Sequence, residues 1–116
     1  MKAAGIHHVG LVVTDVDAAR RFYLDHLGFS ERDDRPDFGF DGAWLQVGNQ
    51  QVHLIEGKEA SPGGGHFALE VADIEAVVSE LRDAGLKVSD PVPAGPTRQA
   101  FILDPSGNVI ELNQPG

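Results

Sequence analysis

The stretch His8-Val-Gly-Leu-Val-Val-Thr-Asp-Val-Asp-Ala18 returns 58 residues later as His66-Phe-Ala-Leu-Glu-Val-Ala-Asp-Ile-Glu-Ala76. His, Leu, Val, Asp and Ala recur in register, and Val16/Ile74 and Asp17/Glu75 are near matches. Later in each half, Val52-His53-Leu54 lies over Ile110-Glu111-Leu112 at the same offset. The chain has 116 residues, so the period is half its length. A fixed period of this size marks two copies of one supersecondary unit.

Each copy reads as β-α-β-β-β. Ile6 to Val13 is apolar and β-branched, the pattern of a strand. Asp15 or Asp17 can cap the following helix, which runs to about His26 and stops at Gly28, with Val16, Ala19, Tyr23 and Leu27 at helical spacing. Phe29 to Asp33 starts a second strand, residues 35–42 form a Gly, Pro and Asp-rich loop, and Ala43 to Val47 pairs with Gln51 to Glu56 as a hairpin. The second copy repeats this: strand His66 to Val71, helix from Asp73 to Gly85 and short strand Leu86 to Ser89. Loop Pro91 to Pro96, strand Gln99 to Leu103, turn 104–107 and last strand Asn108 to Asn113 complete it. The fold class is therefore α+β in one domain. Module one covers about 6–57, a Gly-rich linker about 58–65 and module two about 66–114.

Bulk properties narrow the function. There is no Cys, so disulfides and thiolate metal sites are excluded, and any metal must be held by His, Asp or Glu. No apolar run approaches the ~20 residues of a membrane span, and Met1 to Ile6 lacks a signal-peptide core, so the expected location is cytoplasmic. A net charge of −9 disfavours nucleic acid and anionic membranes as partners. A small molecule is the expected partner.

Side chains alternate faces along a strand. In four strands the aliphatic residues occupy one face and a metal-ligand-type residue the other: His8, His53, His66 and Glu111. The aliphatic face packs under the helices. The ligand face is then the concave side of a curved mixed sheet, with the helices on the convex side. Three imidazoles and a carboxylate on one face point to a shared divalent metal ion: Zn²⁺, Ni²⁺, Co²⁺, Mn²⁺ or Fe²⁺. The same alternation sends Trp44 and Gln46, and Arg98, Ala100 and Ile102, to that face. Trp44 with Phe38 or Phe40 would form an apolar wall, and Arg98 would bind a substrate carboxylate or phosphate. His7 falls on the helix-facing side and His26 at a helix end, so both are left out of the metal site.

The pattern resembles the vicinal oxygen chelate superfamily, which includes glyoxalase I, methylmalonyl-CoA epimerase, fosfomycin-resistance thiol transferases, bleomycin-resistance proteins and extradiol dioxygenases. Its carriers are His7-His8-Val9-Gly10-Leu11, residues 22–29, Gly65-His66-Phe67-Ala68-Leu69 and residues 104–112, so the resemblance covers nearly the whole chain. The family's first-strand ligand falls on His8, the ligand opening the second repeat on His66, the last-strand ligand on Glu111, and the fourth on His53. Glyoxalase I generally carries Glu at that fourth position, so His53 is a departure.

The resemblance implies an enzyme of the glyoxalase kind, a lyase or isomerase. Its metal would bind two neighbouring substrate oxygens as a Lewis acid, and Glu111 would move a proton at the substrate carbon. It also implies a homodimer. The alternatives are a ring-cleaving extradiol-type dioxygenase, with His53 then set back from the metal, and a non-catalytic antibiotic-sequestering binder of the bleomycin-resistance type. A thiol transferase is disfavoured, because the family Thr and Tyr positions fall on Gly10 and Ala100.

Overall fold

The computed structural model describes residues 1–59 and 65–116. The linker expected over about 58–65 falls mostly outside the described residues. The chain forms two compact units, Met1–Ser61 and Pro62–Gly116.

In the first unit, strand β1 (His8–Val13) leads into helix α1 (Val16–Arg21), which widens into a π-helical segment over Phe22–His26. Short β2 (Ser30–Glu31), β3 (Gly42–Val47) and β4 (Gln50–Glu56) follow, and the sheet order is β1-β4-β3-β2. The helix cap is Asp15, whose Oδ1 accepts from the Ala18 amide at 3.0 Å; Asp17 instead pairs with Arg20. Gly28 ends the helical run at φ +72°, a conformation costly for a residue with a Cβ. The apolar helix stripe Val16, Ala19 and Tyr23 is buried, together with Leu45, Val52 and Leu54 of β3 and β4, the strands α1 packs against.

The second unit repeats the plan. Its elements are β5 (Phe67–Glu70), α2 (Ile74–Asp83), β6 (Val92–Ala94), β7 (Thr97–Leu103) and β8 (Val109–Gln114), in sheet order β5-β8-β7-β6. Asp73 caps α2 at the position 58 residues after Asp15, accepting from the Ala76 amide at 3.2 Å. Ile74, Val78 and Leu81 of α2 are buried, as are Ala100, Ile102, Ile110 and Leu112 of β7 and β8.

The parallel pairings obey the repeat residue for residue. Val9 faces Val52 and Gly10 faces His53 in β1–β4; Phe67 faces Ile110 and Ala68 faces Glu111 in β5–β8. The antiparallel pairings do not. Trp44 faces His53, but the residue facing Glu111 is Phe101, one position short of the 58-residue offset. The connection explains the slip. Two residues lie between the last pair of β3–β4, Val47↔Gln50, whereas five lie between Leu103↔Val109. The longer turn is fixed by its own carboxylate. Asp104, 4% exposed, accepts from the Ser106 and Asn108 amides at 2.9 Å each and from Asn108 Nδ2 at 2.9 Å, while Gly107 takes φ +93°.

One strand is placed differently from the sequence expectation. Leu86 to Ser89 is not a strand; β6 lies in the stretch expected to be loop, folded back on β7 through Gly95 at φ +59°. Ser89 meets β7 only through its amide on the Phe101 carbonyl, at 3.1 Å, and its Oγ accepting from the Phe101 amide, at 2.8 Å. A side chain has taken the place of one ladder bond, and no ladder propagates.

Candidate functional site

In the first unit, β1 and β4 run side by side and bring His8 onto His53. The two imidazoles stack, centroids 3.9 Å apart and planes 13° from parallel. Trp44, across from His53 on β3, stacks on the other face of that ring at 4.3 Å. His53 is 7% exposed, and its Nε2 meets Gln51 Oε1 at 2.8 Å. Burial, followed by the neighbouring His8, His7 and Arg32, lowers the His53 pKa, with Asp34 pulling weakly the other way.

His7 does not lie where strand alternation put it. It precedes the first residue of β1, so alternation does not govern it, and its Nδ1 is 2.9 Å from His8 Nδ1. One of those nitrogens must carry the proton that the other accepts. His26, in contrast, sits at the end of the helical run with its ring edge-on to Phe22.

His7, His8 and His53 line a cleft of about 350 Å³, entirely within the first unit. Its wall is aromatic: Phe38 and Phe40 stack at 5.5 Å, and Phe38 leans on Trp44 at 6.1 Å. Phe38 and Phe40 are 48% and 49% exposed, large apolar surface left facing solvent. Gln46 shares the face of His53 but is engaged elsewhere, accepting from Arg32 Nη1 and donating to the Gly48 carbonyl.

In the second unit, His66 immediately precedes β5 and reaches β8. Its Nε2 lies 3.1 Å from Glu111 Oε1, and Asn113 Nδ2 donates to Glu111 Oε2 at 2.9 Å. Both carboxylate oxygens are thus held, and the Glu111 side chain is only 12% exposed. Phe101 stands edge-on to His66 at 5.8 Å.

The one-residue slip of β7 corrects three expected substrate contacts. Residues directly opposite in a ladder share a face, so Ala100 and Ile102, opposite Leu112 and Ile110, lie in the helix-side core, 0% and 2% exposed. Arg98 is on the same face and pairs with Glu75 of α2. Phe101 takes the place beside Glu111 that the sequence offset assigns to Ile102. The length of the turn around Asp104 was the available signal, because five residues in place of two change the parity of the strand.

Three imidazoles and one carboxylate suit a divalent ion of the Zn²⁺, Ni²⁺, Co²⁺, Mn²⁺ or Fe²⁺ series. The structure brings them together as two pairs, His8 with His53 and His66 with Glu111, one in each unit. Among the described residues, no group of three or more His, Asp or Glu is placed to hold one ion. Nε2 of His53 is engaged by Gln51 and Nε2 of His66 by Glu111.

A chain of two such modules, each presenting a His or Glu donor from repeat-related strands, is the architecture of one known group. Residues 5–112 match the glyoxalase/bleomycin resistance protein/dioxygenase superfamily, and the chain belongs to it. It is 32% identical to a probable lactoylglutathione lyase of Synechocystis, with 92% of each chain covered. It is 30% identical to an ethylmalonyl-CoA/methylmalonyl-CoA epimerase of Cereibacter sphaeroides, covering 94% of this chain and 96% of that one. It spans 35% of a longer relative, the probable chloroplastic lactoylglutathione lyase of Arabidopsis thaliana. Among solved structures, a protein of Bacillus anthracis provisionally named to the glyoxalase family superposes with a TM-score of 0.88 at 27% identity, covering 100% of this chain and 98% of that one. The fosfomycin resistance protein FosX of Listeria monocytogenes shares the fold at a TM-score of 0.82 and 15% identity.

Proposed function

We propose that this protein is a metal-dependent enzyme of the glyoxalase kind, a lyase or isomerase that binds a small substrate through two adjacent oxygens. The observation that carries this reading is the matched register of the donor strands. Gly10 faces His53 and Ala68 faces Glu111, so each module sets its second donor opposite a small residue two positions after its first. His8 with His53, and His66 with Glu111, are the two donor pairs offered to a divalent ion. When bound, such an ion supplies Lewis-acid stabilisation of negative charge on a substrate oxygen.

The chain's own residues do the rest. Glu111 takes the proton from the substrate carbon and returns it, while Asn113 holds its Oε2 and fixes the carboxylate plane. In the first unit, Phe38, Phe40 and Trp44 give an apolar wall for a substrate body to pack against. Relatives named as a lyase and as an epimerase both fit a proton moved at one carbon.

The test is metal analysis of the purified protein, followed by assays on the methylglyoxal–thiol hemithioacetal and on an epimerisable acyl thioester with each of the five ions. Turnover that requires metal and is lost in Glu111→Gln is the expected result. Metal uptake without turnover of either substrate would remove the glyoxalase reading. No uptake of any ion would leave a non-catalytic binder.

A further inference from the structure

We propose that the first-unit cleft binds a small carboxylic acid with an aromatic or bulky apolar body, and that Arg35 is the residue that selects its carboxylate. This rests on reading the cleft as the substrate site. It replaces Arg98, whose charge is spent on Glu75 at the helix side.

Arg35 lies in the cleft wall and is held there. Its guanidinium carbon sits 5.1 Å above the Phe38 ring and 5.6 Å from the Phe40 ring, within cation–π range of both. Its Nη2 donates to the Phe40 carbonyl at 2.9 Å. The guanidinium lies close over Gly42, where an added Cβ would run into the Leu54 carbonyl oxygen first and come 2.9 Å from Nη2. A half-buried arginine stacked on rings and tethered by one backbone bond has little rotamer freedom left to lose on binding.

Its charge has no carboxylate partner among the described residues. Among the acids near it in sequence, Asp34 pairs with Arg32 at 2.7 Å, Asp37 accepts from the Gly39 amide at 2.8 Å and Asp41 from the Gly42 amide at 2.9 Å, and Asp33 makes no ion pair with Arg35. A planar cation with unused N–H groups beside three aromatic rings matches a carboxylate attached to a flat or apolar body. It is the wrong lining for a cationic drug, which an aromatic cage without a fixed positive charge would hold better.

Trp44 is the single tryptophan and lines this cleft, so its fluorescence reads binding without metal or turnover. Metal-stripped protein is titrated with phenylacetate, with its neutral isostere phenylacetamide and with acetate. Phenylacetate should quench saturably and bind about tenfold more tightly than phenylacetamide, as expected for one hydrogen-bonded charge pair. Acetate should give no saturation over the same range. Arg35→Gln should bring the acid down to the amide's affinity and leave the amide unchanged; Arg35→Lys should keep part of the preference. Equal binding of acid and amide by the native protein, no saturable response to either, or a preference surviving in folded Arg35→Gln would each overturn the proposal. If Arg35→Gln does not fold, the acid–amide comparison in the native protein decides alone. Loss of the metal chemistry would not change these readings, so the two proposals fail separately.

Discussion

The imidazole of His53 lies flat between two rings, with Trp44 4.3 Å away on one side at 11° from parallel and His8 3.9 Å away on the other. A donor seated in this way is both a structural element and a candidate ligand, and its indole neighbour reports on it. If His53 binds metal, Co²⁺ uptake should quench Trp44 emission with the same midpoint as calorimetric binding. His53→Ala should weaken uptake and remove the quench. Binding seen by calorimetry with unchanged emission would place the ion elsewhere.

Both oxygens of Glu111 are held, by His66 and by Asn113. Asn113→Ala should therefore weaken metal binding about tenfold, the usual cost of removing an outer partner of a ligand, while Glu111→Gln should abolish turnover. Isothermal titration and steady-state rates separate the two. Equal behaviour of Asn113→Ala and the native protein would sink the orienting role of Asn113.

The slip of β7 makes Ile102 a core residue and Phe101 its opposite-face neighbour. Ile102→Ala should cost about 2–4 kcal/mol in urea unfolding and leave metal affinity in place. Phe101→Ala should cost less stability and perturb the His66 ring it touches edge-on, shifting that imidazole's NMR resonances. The reverse pattern would restore the register that the 58-residue offset implies.

Burial, then His8, His7 and Arg32, depress the His53 pKa below its ordinary 6.5, with only Asp34 opposing. The folded chain therefore binds fewer protons at His53 than the unfolded chain. The stability this gives is fully present above pH 6.5 and is lost as pH falls through the folded-state value. Urea unfolding of metal-free protein between pH 7.5 and pH 5 should show that decline, and His53→Asn should make it shallower. Identical slopes would mean that His53 is not kept neutral by the fold.

His7 illustrates the limit of strand alternation. The rule holds only inside a ladder, and His7 stands one residue before the ladder begins, with its Nδ1 on that of His8. Arg35 has no sequence signature for a different reason. Loop residues carry no period, and nothing in the stretch 35–42 announces that a guanidinium will settle on two phenylalanines. The strand expected at Leu86 to Ser89 does not form, and there a serine hydroxyl instead of a backbone carbonyl accepts from the Phe101 amide.

The amino-acid sequence alone determined the duplication, the strands that carry His8, His53 and Glu111, the strand that His66 leads into, and the family. These follow from periodicity and from local chemistry, which a linear text preserves. Only the tertiary structure decided which face of β7 meets Glu111, that His53 is clamped between Trp44 and His8, and that Arg35 and not Arg98 carries unspent charge toward a cleft. Those outcomes depend on loop parity and on which distant side chains compete for one another, and both are settled only when strands far apart in the chain are laid side by side.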